Sequence, residues 1–358
     1  MNTYNFEIRF ATPAFLGDAD QNGTWRTPPF KALIRQWWRV VYTKDKDPGR
    51  VQDLRLAEAE LFGSASGSDG HRSRLRIRMG AWSAGGLLRA DWQAIPGFLH
   101  EEVGHGGRWV SADSYLGFGP VDVRGRSVLR SERAIKPAEP NELALQVLSP
   151  KWDPKMNEEP HRHIREALDL VNRYGTLGGR SRNGWGSVGL VPSDGQLWTS
   201  IGPPTREWHE LLNYDWPCAI GRDNKGPLIW QTRPFSDWKE AMTALALVRY
   251  RTRRLFPLEG IPTPHNEPAD RHWLAYPVTK DHRVTGWEKQ RLPNSLRLKV
   301  RTQGASFIGL VFHMPVMPEA YRFKPKYEAL VSVWSKVHRA LDNGLPGIPD
   351  LGLRRAVS

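Results

Sequence analysis

The chain has 358 residues, 39% of them hydrophobic and 25% charged, which makes it globular and long enough for about two domains at roughly 150 residues each. Its 51 Lys and Arg against 38 Asp and Glu leave a formal net charge of +13, a balance that favours polyanionic partners. The single Cys218, expected to be a buried small residue, excludes an internal disulfide and an all-cysteine metal site; with no signal-like N-terminus and no run of roughly 18 to 20 apolar residues, a soluble cytoplasmic protein without membrane contact is expected.

In chain order, Tyr4 to Ala11 alternates as a strand does, and Thr12-Pro13 ends it. A turn over Gly17 to Gly23 follows, where Asp18 and Asp20 are expected to cap the turn and order Gln21 or Arg26. Thr27 is then placed to cap a helix with Pro28 at its first position, and Phe30, Leu33, Ile34, Trp37, Trp38 and Val41 recur at helical spacing. Lys31, Arg35 and Arg39 fall at i, i+4 and i+8 beside that apolar face, as a basic stripe. A polyanion site and a solvated outer face are equal readings of the stripe. Arg72, Arg74, Arg76 and Arg78 alternate with Ser73, Leu75, Ile77 and Met79, so a strand there sets four guanidinium groups on one face, about 6.6 Å apart. Edge-strand protection competes with polyanion binding, and four arginines in a row favour binding.

Residues 81–140 are rich in glycine turns and read as a loop-rich insertion. Glu142 to Leu148 is predicted as a strand, His161 to Tyr174 as a helix with Ile164, Leu168 and Val171 inward, and Trp185 to Val191 as a strand. The order strand, helix, strand, strand, helix, strand is the split ferredoxin-like arrangement. Beyond the turn-rich boundary Pro192 to Pro204, strands near Cys218 to Gly221 and Leu228 to Thr232, a helix from Ser236 to about Phe256, strands over Ser295 to Arg301 and Ser306 to His313, and a helix from about Pro325 to Leu341 partly repeat the pattern. In the strand over Ser295 to Arg301, Arg297, Lys299 and Arg301 echo the arginine ladder. The expected class is α+β: two ferredoxin-like, RRM-related domains in tandem, over 1–195 and 205–358, with the insertion in the first.

Gly175 to Val188 places five glycines, Arg180, Arg182 and Trp185 in fourteen residues. Glycines such as Gly178 and Gly179 let backbone N–H groups approach an anion, and arginine forks match phosphate. No Gly-Lys-Ser/Thr follows, and the spacing is not that of a dinucleotide fingerprint, so a free nucleotide or second messenger is the weaker partner.

Three stretches together resemble the RAMP superfamily of CRISPR proteins, in particular the first Cmr subunits of type III-B effectors: Phe15-Leu16-Gly17-Asp18-Ala19-Asp20-Gln21, the helix within Arg26 to Arg39, and the glycine loop. Asp18 and Ala32 stand where many relatives have glycine. The resemblance implies two ferredoxin-like domains that hold crRNA, target RNA or both, partner Cmr subunits, no cofactor and no chemistry in this subunit. It implies RNA at Lys31, Arg35 and Arg39 and at Arg180, Arg182 and Asn183. Residue types add Arg72, Arg74 and Arg76 for phosphates, Gly178 and Gly179 for backbone donors, and Trp185 as either a base-stacking ring or a core anchor.

The superfamily also contains metal-independent RNA endonucleases, which makes cleavage of CRISPR RNA the alternative. Its candidate groups are His161, His163, His100, His105, Asp18 and Asp20. His161 and His163 are two apart and share no helical face, and His100 and His105 flank Glu101-Glu102 without further ligand spacing, so neither pair forms a metal site by pattern.

Overall fold

The computed structural model describes residues 3–65, 70, 72–103, 106–122, 127–148, 158–195, 202–278, 282–345 and 351–356. It is an α+β chain that divides into two compact units. The first is Met1–Ala94, Leu116–Pro204 and Lys299–Thr302, and the second is Ile95–Tyr115, Thr205–Leu298 and Gln303–Ser358. Of the stretch 81–140, Ile95–Tyr115 therefore groups with the second unit.

In the first unit the order is β1 (Thr3–Phe10), α1 (Thr27–Tyr42), α2 (Val51–Phe62), β2 (Leu75–Met79), β3 (Asn141–Val147), α3 (Glu158–Tyr174) and β4 (Val188–Pro192). The strands form a sheet in the order β4-β1-β3-β2, antiparallel throughout. Period-two alternation turns Phe6, Ile8, Phe10, Leu143, Leu145 and Leu75 inward, where they are buried with Phe30, Ile34, Trp37, Ile164, Leu168 and Val171 of the helices. Register places Asn5, Glu7, Arg9, Glu142, Ala144, Gln146, Arg76 and Arg78 on the opposite face, which carries no aromatic ring from these strands. The stacking surface of an RRM-type sheet is therefore missing here.

Helix α1 begins one residue earlier than predicted, at the expected cap itself. Thr27 is its first residue, Arg26 is the N-cap with no side-chain capping bond, and the Arg26 guanidinium instead donates to the Gly17 carbonyl. Helix α2 was not predicted, because Leu56 on its exposed side blurs the apolar stripe made by Leu54, Leu61 and Phe62.

The second unit contains β5 (Ile229–Gln231), α4 (Trp238–Arg254), the ends of β6 (Leu296–Gln303, whose Lys299–Thr302 groups with the first unit), β7 (Ser306–His313), α5 (Tyr327–Asp342) and β8 (Arg354–Arg355), with sheet order β6-β7-β5-β8. Read from β8, this is the same fourth, first, third, second order as in the first sheet. Asp237 caps α4, accepting from the Lys239 amide at 2.9 Å. The hairpin Gly97–His100 with Arg108–Ser111 is held in this unit by Glu102, which accepts from both Arg271 Nη atoms and from Arg254. Burial opposes ionisation of Glu102, but these arginines outweigh it and lower its pKa to about 2. Cys218 is buried, as expected, and burial pushes its thiol up to about 12.

Three buried polar groups form a chain in this unit: Ser295 Oγ to His313 Nε2 at 2.9 Å, and His313 Nδ1 to His338 Nε2 at 2.8 Å. Burial pushes His313 well below the usual imidazole range and, with Arg355 adding to it, lowers His338 to about 3. Both are neutral in the fold, whereas the unfolded chain takes up protons near pH 6.5. Their contribution is thus fully present above pH 6.5 and declines as pH falls below it, for His338 toward its folded value of about 3, by up to about 1.4 kcal/mol per pH unit for each histidine. Melting curves at pH 7.5 and 5.5 are expected to show this loss, and His338→Asn to flatten the pH dependence.

Candidate nucleic-acid interface

The glycine loop follows α3 and leads into β4. Gly186 has a φ of +61°, and a Cβ there would lie 1.9 Å from the Leu177 carbonyl oxygen; Gly178 has a φ of +96° with the Phe15 oxygen 2.7 Å from the same position. Only glycine fits either place. The amides of Gly179, Asn183, Gly184 and Gly186 donate to Phe15, Arg180, Ser181 and Pro13 carbonyls at 2.9 to 3.0 Å. The glycines thus serve close backbone packing, and the expectation that Gly179 offers its amide to a phosphate is corrected, since that N–H is already bonded.

What fixes both ends of the loop is Lys299, 1% exposed. Its Nζ donates to Val171 at 3.2 Å, Asn172 at 2.7 Å, Gly175 at 2.9 Å and Val188 at 2.7 Å, all main-chain oxygens. Val171 and Asn172 lie in the last turn of α3, where carbonyls run short of helical partners and the dipole favours a cation; the Val171 oxygen also accepts from the Gly175 amide at 2.8 Å, and Gly175 and Val188 open and close the loop. Burial lowers the pKa of this amine, while four carbonyl acceptors favour its three N–H form. The Val300 amide adds a bond to Ser187 Oγ at 2.9 Å. The sequence reading of Arg297, Lys299 and Arg301 as a second charged ladder is corrected: Arg297 and Lys299 are buried.

Two predicted residues of the loop have structural duties. Asn183 is buried, and its Nδ2 donates to the Leu116 carbonyl at 2.7 Å. Trp185 is 0% exposed, with its ring 5.1 Å from Phe15 and 5.9 Å from Trp92. Of its two readings the core anchor holds, and the base-stacking role is corrected. Arg180 and Arg182, by contrast, are exposed. Among the described residues neither forms an ion pair, and no carboxylate influences either guanidinium. Arg180 adopts a left-handed φ of +56°, and its Nε donates to the Phe118 carbonyl at 2.6 Å, which holds the guanidinium beside that backbone.

The second group is the stripe on α1. Lys31 Nζ meets Ser73 Oγ at 3.1 Å, and burial, then Arg35 and Arg76, lower its pKa, so these cations share one neighbourhood. Arg35 and Arg39 both bind Glu58 of α2, Arg35 Nε at 2.6 Å and Arg39 Nη2 at 2.9 Å. Glu58 is 5% exposed; burial opposes its charge, but the bonds from Arg39 and Arg35 hold its carboxyl below the usual range. The stripe is therefore part solvated face and part ion pair, with a carboxylate that sequence reasoning missed along with α2. Its signal was the helical spacing of Leu54, Glu58, Leu61 and Phe62. Glu58→Gln keeps the shape and removes the charge; it is expected to tighten binding of single-stranded RNA a few-fold at low salt and to lower stability by about 1–2 kcal/mol. Fluorescence anisotropy and thermal melting check the two effects.

The four-arginine ladder is corrected as well. Strand β2 starts at Leu75, so only Arg76 and Arg78 stand on one strand face, both exposed. Arg72 is exposed ahead of the strand, and Arg74 donates to the Leu148 carbonyl at 3.0 Å and pairs with Glu60.

Asp18 orders its turn as expected, accepting from the Asp20 and Asn22 amides at 3.0 and 2.9 Å and from Thr24 Oγ1 at 2.9 Å. His161 Nδ1 bonds the Tyr4 hydroxyl at 2.8 Å, His163 is buried, and His100 is buried with its ring 4.5 Å from that of Tyr250. His105 lies outside the described residues. Among those described, no three His, Cys, Asp or Glu side chains gather as they would around a metal, and no helix is long and apolar enough to cross a membrane.

An α+β unit with a glycine-rich loop between its second helix and last strand, and arginines exposed on that loop, defines the class. The chain belongs to the RAMP superfamily, whose family model matches residues 7–189, the stretch holding both groups of cations. Among solved structures it is similar to the apo crystal structure of Cmr1 from Pyrococcus furiosus, with 16% identity over 97% of this chain and 98% of that one and a TM-score of 0.46. It is also similar to chains in two cryo-EM structures of the type III-B Cmr-beta bound to cognate target RNA. The one with AMPPnP and in the presence of ssDNA gives 11% identity, 94% and 99% coverage and a TM-score of 0.48. The other gives 10% identity, 94% and 99% coverage and a TM-score of 0.46. No curated protein sequence matches the chain significantly.

Proposed function

We propose that the chain is a non-catalytic RNA-binding subunit of a type III-B Cmr ribonucleoprotein, holding the 3′ region of the crRNA, the target RNA paired to it, or both. The observation that carries this reading is the pair Arg180 and Arg182, exposed and, among the described residues, in no ion pair, on a tightly fastened loop within the family segment. Such a pair fixes phosphates and gives affinity without sequence preference. Lys31 and Arg76 supply a second basic patch, with Arg35 and Arg39 partly neutralised by Glu58. The reading includes two ferredoxin-like domains, supported by the matching strand orders of the two sheets, and other Cmr subunits as partners. The non-catalytic part of the reading is a proposal: of its candidate histidines, His100 and His163 are buried, His161 is engaged with Tyr4, and His105 lies outside the described residues.

The test is footprinting of crRNA in type III-B complexes reconstituted with and without this chain. Loss of protection at the crRNA 3′ end without the chain, and target cleavage unchanged by His161→Ala, His163→Ala and His100→Ala, is the expected result. An unchanged footprint overturns the holding role, and cleavage abolished by one histidine change overturns its non-catalytic character.

A further inference from the structure

Bonded through its backbone to Arg180 is a residue with an exposed aromatic ring that the RNA-holding role has not used. Phe118 is 56% exposed, in a chain where most tryptophans and phenylalanines are buried. A lone exposed ring is ordinary, but this one is fastened to the glycine loop. The Phe118 carbonyl accepts from Arg180 Nε at 2.6 Å, and two residues earlier the Leu116 carbonyl accepts from Asn183 Nδ2 at 2.7 Å. Pro120 closes against Gly179, where a Cβ would lie 3.1 Å from its Cγ. The segment Leu116 to Pro120 and the turn Gly178 to Asn183 are thus joined at three points, and Lys299 holds the ends of the loop.

We propose that Phe118 is a base-stacking site for single-stranded RNA, with Arg180 and Arg182 taking the phosphates that flank the stacked nucleotide. An aromatic face binds any base and so adds affinity without sequence readout, as a phosphate-binding surface does. The hydrogen bond at Arg180 Nε fixes its guanidinium to the backbone of Phe118, so the charge is anchored at the residue that carries the exposed ring. Among the described residues, the strands of the first sheet put no ring on its open face and Trp185 is buried, while Phe118, bonded through its backbone to Arg180, keeps its ring exposed. This site rests on the RNA-holding reading and adds to it a non-ionic contact.

The two are separable because stacking carries no counterion release. Binding of an oligouridylate carrying one 2-aminopurine is measured by anisotropy across a salt series, with 2-aminopurine quenching read on the same samples, for the full chain and for Phe118→Ala, Phe118→Leu and Phe118→Tyr. Phe118→Ala is expected to lower affinity about tenfold or more with the salt slope unchanged and to abolish quenching, Phe118→Leu to behave likewise, and Phe118→Tyr to restore both. Arg180→Ala is expected to reduce the slope. Wild-type affinity and quenching in Phe118→Ala, with Arg180→Ala still weakened, overturns the stacking site alone and points to a protein-contact residue. Full binding by Phe118→Leu without quenching also overturns it. Failure of the wild-type chain to bind the oligomer overturns the underlying RNA-holding reading.

Discussion

Lys299→Met is expected to destabilise the first unit by about 3–5 kcal/mol, a large share of the stability of a typical domain. Methionine fills similar volume but donates nothing, so the carbonyls of Val171, Asn172, Gly175 and Val188 lose their common partner in a buried place. Two of those groups end α3 and two frame the glycine loop, so the substitution is expected to loosen the loop before it unfolds the unit. Urea unfolding measures the first effect. Amide exchange at Asn183, Gly184 and Gly186, whose N–H groups bond within the loop or to Pro13, measures the second. A variant with wild-type stability and exchange would show that the lysine is incidental to the loop.

The second large effect is on binding. Replacing Arg180 and Arg182 together with alanine is expected to weaken binding of single-stranded RNA about ten- to a hundredfold at low salt. The log–log salt slope is expected to become shallower by about 1.4, two contacts at about 0.7 each. Arg74→Ala is the control, because that side chain is spent on Glu60 and the Leu148 carbonyl, and it is expected to leave the slope unchanged. Equal losses for the two variants would mean that net charge, not the loop geometry, governs binding.

Much of the first unit was legible because local pattern and global fold agree there. Phe6, Ile8 and Phe10 alternate as a strand, and Phe30, Leu33, Ile34, Trp37, Trp38 and Val41 follow a helix; all are buried as that periodicity requires. The loop stood out for its glycines, but composition could not separate an anion cradle from close packing against Phe15 and Leu177. That distinction depends on which amides are already bonded, a tertiary fact. Lys299 was misread for a related reason: alternation along β6 assigns it a charged face, whereas its four partners lie more than a hundred residues earlier. Glu58 was missed with its helix, and so the pairing of Arg35 and Arg39 was missed too. Phe118 carried no signal in the sequence, since its place beside Arg180 arises only when two distant loops meet.

The RNA-holding role is tested most directly by binding of single-stranded RNA to the purified wild-type chain across a salt series, with chelator present and RNA integrity read on the same samples. The expected result is binding of intact RNA, without sequence preference, that weakens steeply and linearly in log–log form as salt rises. RNA cut without metal, or no salt-sensitive binding at all, would contradict it.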